Sequence, residues 1–144
     1  MLWVVDVCEV EVRAEVGSDR LPQLMELFAE AWWARDRSPD DVARMVAASD
    51  LVFGLVHRAS RRLVGFARVI TDDVYLALVL DVVVAAEFRG TGLGATLLDA
   101  VVGHPRVAGV RSVELVCQPE LMPFYRRWGF TEHVGGSRLM RRAG

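Results

Sequence analysis

The residues of this chain best placed for chemistry are consecutive: Arg89-Gly90-Thr91-Gly92-Leu93-Gly94-Ala95. An apolar segment, Val79-Leu80-Asp81-Val82-Val83-Val84, leads into them, and Thr96-Leu97-Leu98-Asp99-Ala100-Val101-Val102 continues from them with helical patterning. A buried strand therefore feeds a glycine-rich turn that opens a helix. Such a turn aims several unpaired backbone N–H groups at one point, at the positive end of the helix dipole. Gly90, Gly92 and Gly94 remove the side chains that would hold a ligand off the backbone, and Arg89 adds a fixed positive charge. The expected guest is a phosphate or pyrophosphate. Asp81 stands out in the strand before the turn, because an isolated ionised carboxylate is costly to bury and must reach a partner, a cleft or solvent.

Several phosphate chemistries compete for this turn. A nucleotide P-loop needs a Gly-Lys-Ser/Thr ending, and both the lysine and the hydroxyl are missing. The dinucleotide pattern G-x-G-x-x-G/A is met by Gly90-Thr91-Gly92-Leu93-Gly94-Ala95, with Glu114 about 20 residues on. Against it, the turn begins some 90 residues into the chain and leaves room for one β-α-β unit, and Glu114 falls inside a strand rather than at its end.

The elements that must position these residues follow from periodicity. Residues 4–16 alternate in part, as a half-buried strand does. Leu21, Leu24, Met25, Phe28 and Trp32 fall at helical spacing, which predicts an amphipathic helix over 20–34 capped by Ser18 or Asp19. Ser38-Pro39-Asp40-Asp41 starts a second helix that stops near Ser49-Asp50. Leu51–His57, residues 63–70 and residues 74–84 read as three strands of a meander. After the turn and its helix, Gly103-His104-Pro105 is a stop. Residues 111–117 read as a strand, 119–128 as a short helix ended by Gly129, and 130–133 and 137–141 as two last strands. The order β-α-α-β-β-β-α-β-α-β-β predicts one α/β domain over residues 1–144, with a mixed sheet that is antiparallel early and parallel around the turn.

Composition narrows the function. The chain has 144 residues, 53% hydrophobic and 25% charged, within the range of ordinary globular domains. A formal charge of −2, with no like-charge run longer than Arg-Arg or Asp-Asp, excludes a concentrated basic face and so argues against nucleic acid. Cys8 and Cys117 make neither a disulfide framework nor a zinc site, and no metal is expected; His57, His104 and His133 show no triad or metal spacing. Asp6 interrupts the N-terminus too early for a signal-peptide core. No apolar run approaches the roughly 18 residues of a membrane span, so a cytoplasmic chain with no membrane partner is expected.

Two segments carry a resemblance. Arg89-Gly90-Thr91-Gly92-Leu93-Gly94 fits the R/Q-x-x-G-x-G/A motif of the GNAT acetyltransferase superfamily, and Phe124-Tyr125-Arg126-Arg127-Trp128-Gly129-Phe130 is similar to its F-Y-x-x-x-G-F segment. The element order also resembles that fold over residues 4–142, and residues 33–37 and 64–72 resemble small bacterial-type members without an assigned substrate. The resemblance implies acetyl-coenzyme A as cosubstrate and an amine as acceptor. It implies that the amides of Arg89, Gly90, Thr91, Gly92, Leu93, Gly94 and Ala95 hold the pyrophosphate, while Val82, Val83 and Val84 dock the pantetheine arm and polarise the thioester. Tyr125 would protonate or hydrogen-bond the departing thiolate, unless it is a structural tyrosine. Asp81 is either the general base or the partner of an arginine such as Arg68. Trp33 and Arg37 would line the acceptor pocket. Cys117 is expected to be an inert buried thiol, and a homodimer through the late strands is compatible with this fold. The other reading of the same features is a non-catalytic acyl-coenzyme A binding or sensor module.

Overall fold

The β-branched and aliphatic middle of the chain forms the sheet that its patterning asks for. A computed structural model describes residues 9–144; the strand expectation over 4–8 and Cys8 lie outside the described residues. Strands β1 (Val10–Arg13), β2 (Leu51–His57), β3 (Arg62–Thr71) and β4 (Leu76–Val84) pair antiparallel in sequence order, and β5 (Ser112–Leu115) joins β4 in parallel. The helices are α1 (Leu21–Ala29), α2 (Pro39–Ala48), α3 (Leu93–Gly103), α4 (Pro105–Ala108) and α5 (Met122–Arg126).

Cross-strand pairing shows which helix covers which face. Phe66 of β3 meets Phe28 of α1 edge-on at 5.8 Å. Gly54 lies opposite Phe66, so its neighbour Phe53 points the other way, and Phe53 meets His104 at the end of α3, also at 5.8 Å. Helices α1 and α3 therefore cover opposite faces, and fully buried Leu24, Leu27, Phe28, Leu97, Leu98 and Val101 fill the two layers. Each such side chain contributes about 1.5–3 kcal/mol through burial.

Helix α2 begins as its sequence predicts: the Ser38 hydroxyl accepts the Asp41 N–H at 3.2 Å, Pro39 is first, and Asp40 and Asp41 sit in the first turn. Helix α1 is shorter than expected. Ser18 and Asp19 lie in a 3-10 turn (Ser18–Arg20), and Arg20 takes the N-cap position without a side-chain cap. Beyond Ala29 the chain switches to three-residue bonding, with Ala31 N–H to Phe28, Ala34 to Ala31 and Arg37 to Ala34. That spacing buries Ala31 and Ala34 while Trp32 stays exposed, which a continued helix would not do. Pro105 proves to be a start as well as a stop: proline suits a first helical turn, and the one-turn α4 follows it, capped by His104. The strands expected at 130–133 and 137–141 are absent, leaving β5 as the last strand of the sheet. Gly135 and Gly136 interrupt that segment, and its apolar residues Leu139 and Met140 stay exposed, so no buried face is available to fix a ladder.

Candidate active site

The glycine turn grows out of β4 through a 3-10 turn (Ala86–Phe88) whose first amide, Ala86 N–H, donates to the Glu30 carboxylate at 2.7 Å. Gly90 and Gly92 adopt left-handed φ values of 79° and 89°, and a Cβ built on either would meet nothing within 4 Å. They are open because the turn is open. The Thr91 hydroxyl donates to the Phe88 carbonyl and closes the loop. The first helical bond of α3 runs from Thr96 N–H to Gly92 O, so the amides of residues 90–95 have no backbone acceptor among the described residues. Leu93, 1% exposed, roots the helix start in the core. A cluster of free donors at a fixed helix N-terminus fits a pyrophosphate. Arg89 is exposed, its Nε donating back to the Val84 carbonyl at 3.3 Å. Gly94 serves a different end: a Cβ there would come within 3.3 Å of the Phe124 ring, so this glycine seats α5 against α3. The Trp128 indole N–H donates to Asp99 of α3 at 2.8 Å and fastens the same junction.

Strand β4 carries a bulge. Phe66 pairs with Val83 and Arg68 with Leu80, so Ala67 alone faces both Asp81 and Val82. Asp81 takes a left-handed φ of 55°, a conformation aspartate tolerates better than most residues. Its carboxylate, 7% exposed, receives Arg37 in a two-point ion pair at 2.9 and 3.0 Å and the Nε of Arg68 at 2.7 Å. Burial pushes its pKa up, but the hydrogen bonds and charges of Arg37 and Arg68 outweigh this and hold it below the usual carboxylate range. The sequence left Asp81 between base and ion pair, and the geometry is that of the ion pair, with a second arginine added.

Arg37 is therefore bound to Asp81, and its guanidinium also lies over the rings of Phe28 at 5.1 Å and Trp33 at 5.6 Å. Trp33 is half-buried beside Phe28. The β4–β5 ladder ends at Val79–Leu115, where β5 stops, and from Leu80 through Val84 the edge of β4 that faces β5 has no strand partner among the described residues. Val83 is buried, while Val82 and Val84 are half-buried beside that parting.

Between the end of β5, α5 and the last residues lies a cavity of about 790 Å³, lined in part by Leu78, Glu114, Cys117, Met122, Tyr125 and Phe130. Tyr125 is 7% exposed and packs edge-on between Phe124 and Phe130 at 5.0 and 6.1 Å. Burial, with a smaller effect of Cys117, pushes its pKa up to about 12. Its hydroxyl has no hydrogen bond to a described residue, yet among the described residues no buried side-chain polar atom is left unpaired, so it reaches open space in the cavity. Burial, with a smaller effect of Glu120, pushes the pKa of the Cys117 thiol up, the direction that favours the protonated form. The chain contains no lysine; its 17 basic residues are all arginine, and guanidinium or imidazole serves as the cation of every ion pair described.

A family model described as an acetyltransferase (GNAT) domain matches residues 12–142. The chain belongs to the GNAT acetyltransferase family. Relatives agree with that membership. An uncharacterized N-acetyltransferase, ycf52, of Porphyra purpurea is 30% identical over 122 residues, covering 83% of this chain and 70% of its own. The chloroplastic serotonin N-acetyltransferase 2 of Oryza sativa subsp. japonica is 33% identical, covering 82% of this chain and 59% of the rice protein. The crystal structure of a GNAT-family protein from Xanthomonas campestris pv. campestris superposes with a TM-score of 0.79 at 33% identity, covering 94% of this chain and 93% of that one. Phe124-Tyr125 and the glycine turn, the two segments that carried the resemblance, thus meet at one side of a GNAT fold through the Gly94–Phe124 contact.

Proposed function

We propose that this acetyltransferase moves an acetyl group directly from acetyl-coenzyme A to a primary amine. The observation that carries the reading is the turn at residues 90–95, whose amides are free and whose two left-handed glycines leave the approach clear. Acetyl-coenzyme A supplies a thioester, an acyl group already activated towards an amine.

Each part of the chain has a role in this reaction. The amides of residues 90–95, aided by Arg89, hold the pyrophosphate. The unpartnered edge of β4 at Val82, Val83 and Val84 receives the pantetheine arm, and an N–H there stabilises the oxyanion as the amine attacks. Asp81 fixes the bulge in this strand; with two arginines on its carboxylate it holds no vacancy for the amine proton, which leaves to solvent. Tyr125 donates a hydrogen bond to the departing sulfur. With a pKa of about 12, against roughly 8.5 for a thiol, complete proton transfer runs uphill, so hydrogen-bond donation is the role its environment suits. Trp33 offers an aromatic wall to the acceptor beside the partly exposed Arg37. The rice relative's substrate makes an arylalkylamine the first acceptor to try. A cytoplasmic setting and a homodimer belong to the same reading, the latter open to light scattering.

The test is thermal shift with acetyl-coenzyme A, NADH and ATP, followed by turnover on an amine panel that includes serotonin. At a hundred times the dissociation constant, binding adds about 2.7 kcal/mol, roughly 5–10 °C for a chain of this size. A shift with acetyl-coenzyme A alone, then amine-dependent thiol release, is the expected result. A larger shift with NADH, or none with acetyl-coenzyme A, overturns the reading.

A further inference from the structure

Glu114 lies inside β5, beside Leu78 of β4 in the parallel ladder and one pair before that ladder ends at Val79–Leu115. Residues paired across a sheet project from the same face. Leu78 is also paired with Ile70, and Leu80 with Arg68, so Glu114 belongs to the face on which Arg68 reaches Asp81. Its side chain is exposed and lines the 790 Å³ cavity with Met122, Tyr125 and Phe130. The other charged groups of that wall are engaged. Arg126 and Glu132 hold each other at 3.0 Å, and Arg138 is turned onto the carbonyls of Gly135 and Ser137. Among the described residues Glu114 has only the Ser112 hydroxyl, at 3.5 Å, and no cation. The cavity therefore offers one carboxylate without a counter-charge, on a strand, among apolar and aromatic side chains.

We propose that Glu114 anchors the ammonium of the acceptor and so selects its class: a primary amine with an apolar body and no carboxylate of its own. The inference rests on the proposed function and deepens it by naming the acceptor's chemistry. The Tyr125 hydroxyl, which serves the departing sulfur in that reaction, opens into this cavity, so the acyl carbon lies at its edge and the attacking nitrogen arrives through it. A cavity of this size suits a small molecule. An alkylamine with a pKa near lysine's, about 10.4, arrives as a cation at neutral pH. It docks on Glu114 through a charge-assisted hydrogen bond and loses its proton to solvent before attack, while Met122 and Phe130 take the apolar body. A carboxylate on the acceptor would face Glu114 and be repelled.

Steady-state kinetics with tryptamine and tryptophan, which share a ring system and differ by one carboxylate, test this on the wild type, Glu114→Gln and Glu120→Gln. The wild type is expected to prefer tryptamine about tenfold in kcat/KM, the usual scale of one charge-assisted contact. Glu114→Gln is expected to raise KM for tryptamine about tenfold with kcat within about twofold, and to erase the preference. Glu120→Gln removes an equal charge from the neighbouring 3-10 turn (Pro119–Leu121), outside the cavity wall, and is expected to match the wild type. Glu114 is exposed, so its variant folds, and an unchanged melting temperature checks this. An unchanged KM in Glu114→Gln, or an equal rise in Glu120→Gln, overturns the proposal while the acetyl-coenzyme A reading stands. Equal use of both amines by the wild type does the same. A wild type that binds acetyl-coenzyme A and acetylates neither amine overturns the acceptor class alone; one that does not bind acetyl-coenzyme A overturns the proposed function with it.

Discussion

Arg37 and Asp81, 44 positions apart, form a two-point ion pair of 2.9 and 3.0 Å that ties the connection between α1 and α2 to the bulge of β4. Arg68, one strand over, contacts the same carboxylate at 2.7 Å. The bulge has a backbone cost, a left-handed non-glycine residue inside a strand, and these three hydrogen bonds are what offset it.

Replacing Asp81 with Asn keeps a residue that tolerates the left-handed conformation but leaves two guanidiniums facing a neutral amide. Arg68 is 13% exposed and cannot readily turn to water. The expected loss is about 3 kcal/mol, or close to 10 °C in Tm, read by calorimetry. Turnover falls as the β4 edge shifts, yet the limb of the kcat/KM profile that rises with pH keeps its apparent pKa. Loss of that limb would return Asp81 to the role of base.

The same cluster sets an acid dependence. Folded Asp81 titrates below its ordinary value of 3.8, so its contribution is complete above that value and disappears as pH falls through the lower, folded one. Melting curves of the wild type and Asp81→Asn are expected to lie far apart at pH 6 and to approach each other only as pH falls below the ordinary carboxylate value of 3.8. A constant separation down to acid would show that the carboxylate charge does not hold the bulge.

For Tyr125→Phe, kcat is expected to drop about 10- to 100-fold while the dissociation constant for coenzyme A stays within about twofold. In a Tyr75→Phe background the remaining phenol should titrate near pH 12, seen as the ultraviolet change on ionisation. Its raised pKa means that stability is complete below about pH 10 and declines as pH climbs towards about 12. Unchanged turnover in Tyr125→Phe would reduce this residue to packing.

Gly94 and Phe124 should be coupled. Gly94→Ala presses a methyl to 3.3 Å from the ring, an overpacking expected to cost about 1 kcal/mol and to weaken coenzyme binding as α5 shifts. Phe124→Leu in the same chain makes room, so the double variant should recover most of that loss, a coupling near 1 kcal/mol. Gly92→Ala differs: it clashes with nothing, and its cost of about 1–2 kcal/mol comes from the left-handed backbone alone, with no relief from Phe124→Leu.

Much of this arrangement could be read along the chain because it is local. The cap at Ser38, the meander of β2 to β4 and the strand–glycine–helix sequence depend on neighbours a few residues away, and the structure keeps them. Asp81 drew attention as a charge in an apolar run, but nothing local points to Arg37, because that partner is fixed by how the α1–α2 connection folds over the sheet. Gly94 carries the same lesson in reverse: it reads as part of a phosphate cradle, and only the arrival of Phe124 shows that it is also a packing site. The last strands were expected as two short runs after Gly129, and runs that short supply no buried surface to pair with.

A protein whose basic residues are all arginine carries no side-chain primary amine of its own. An acetyltransferase built this way has no lysine on which to acetylate itself. Labelled acetyl that becomes bound to a side-chain amide in its presence must therefore lie on an added acceptor, not on the catalyst's own side-chain amines. Incubation with labelled cosubstrate and no amine should leave the side chains at their starting mass.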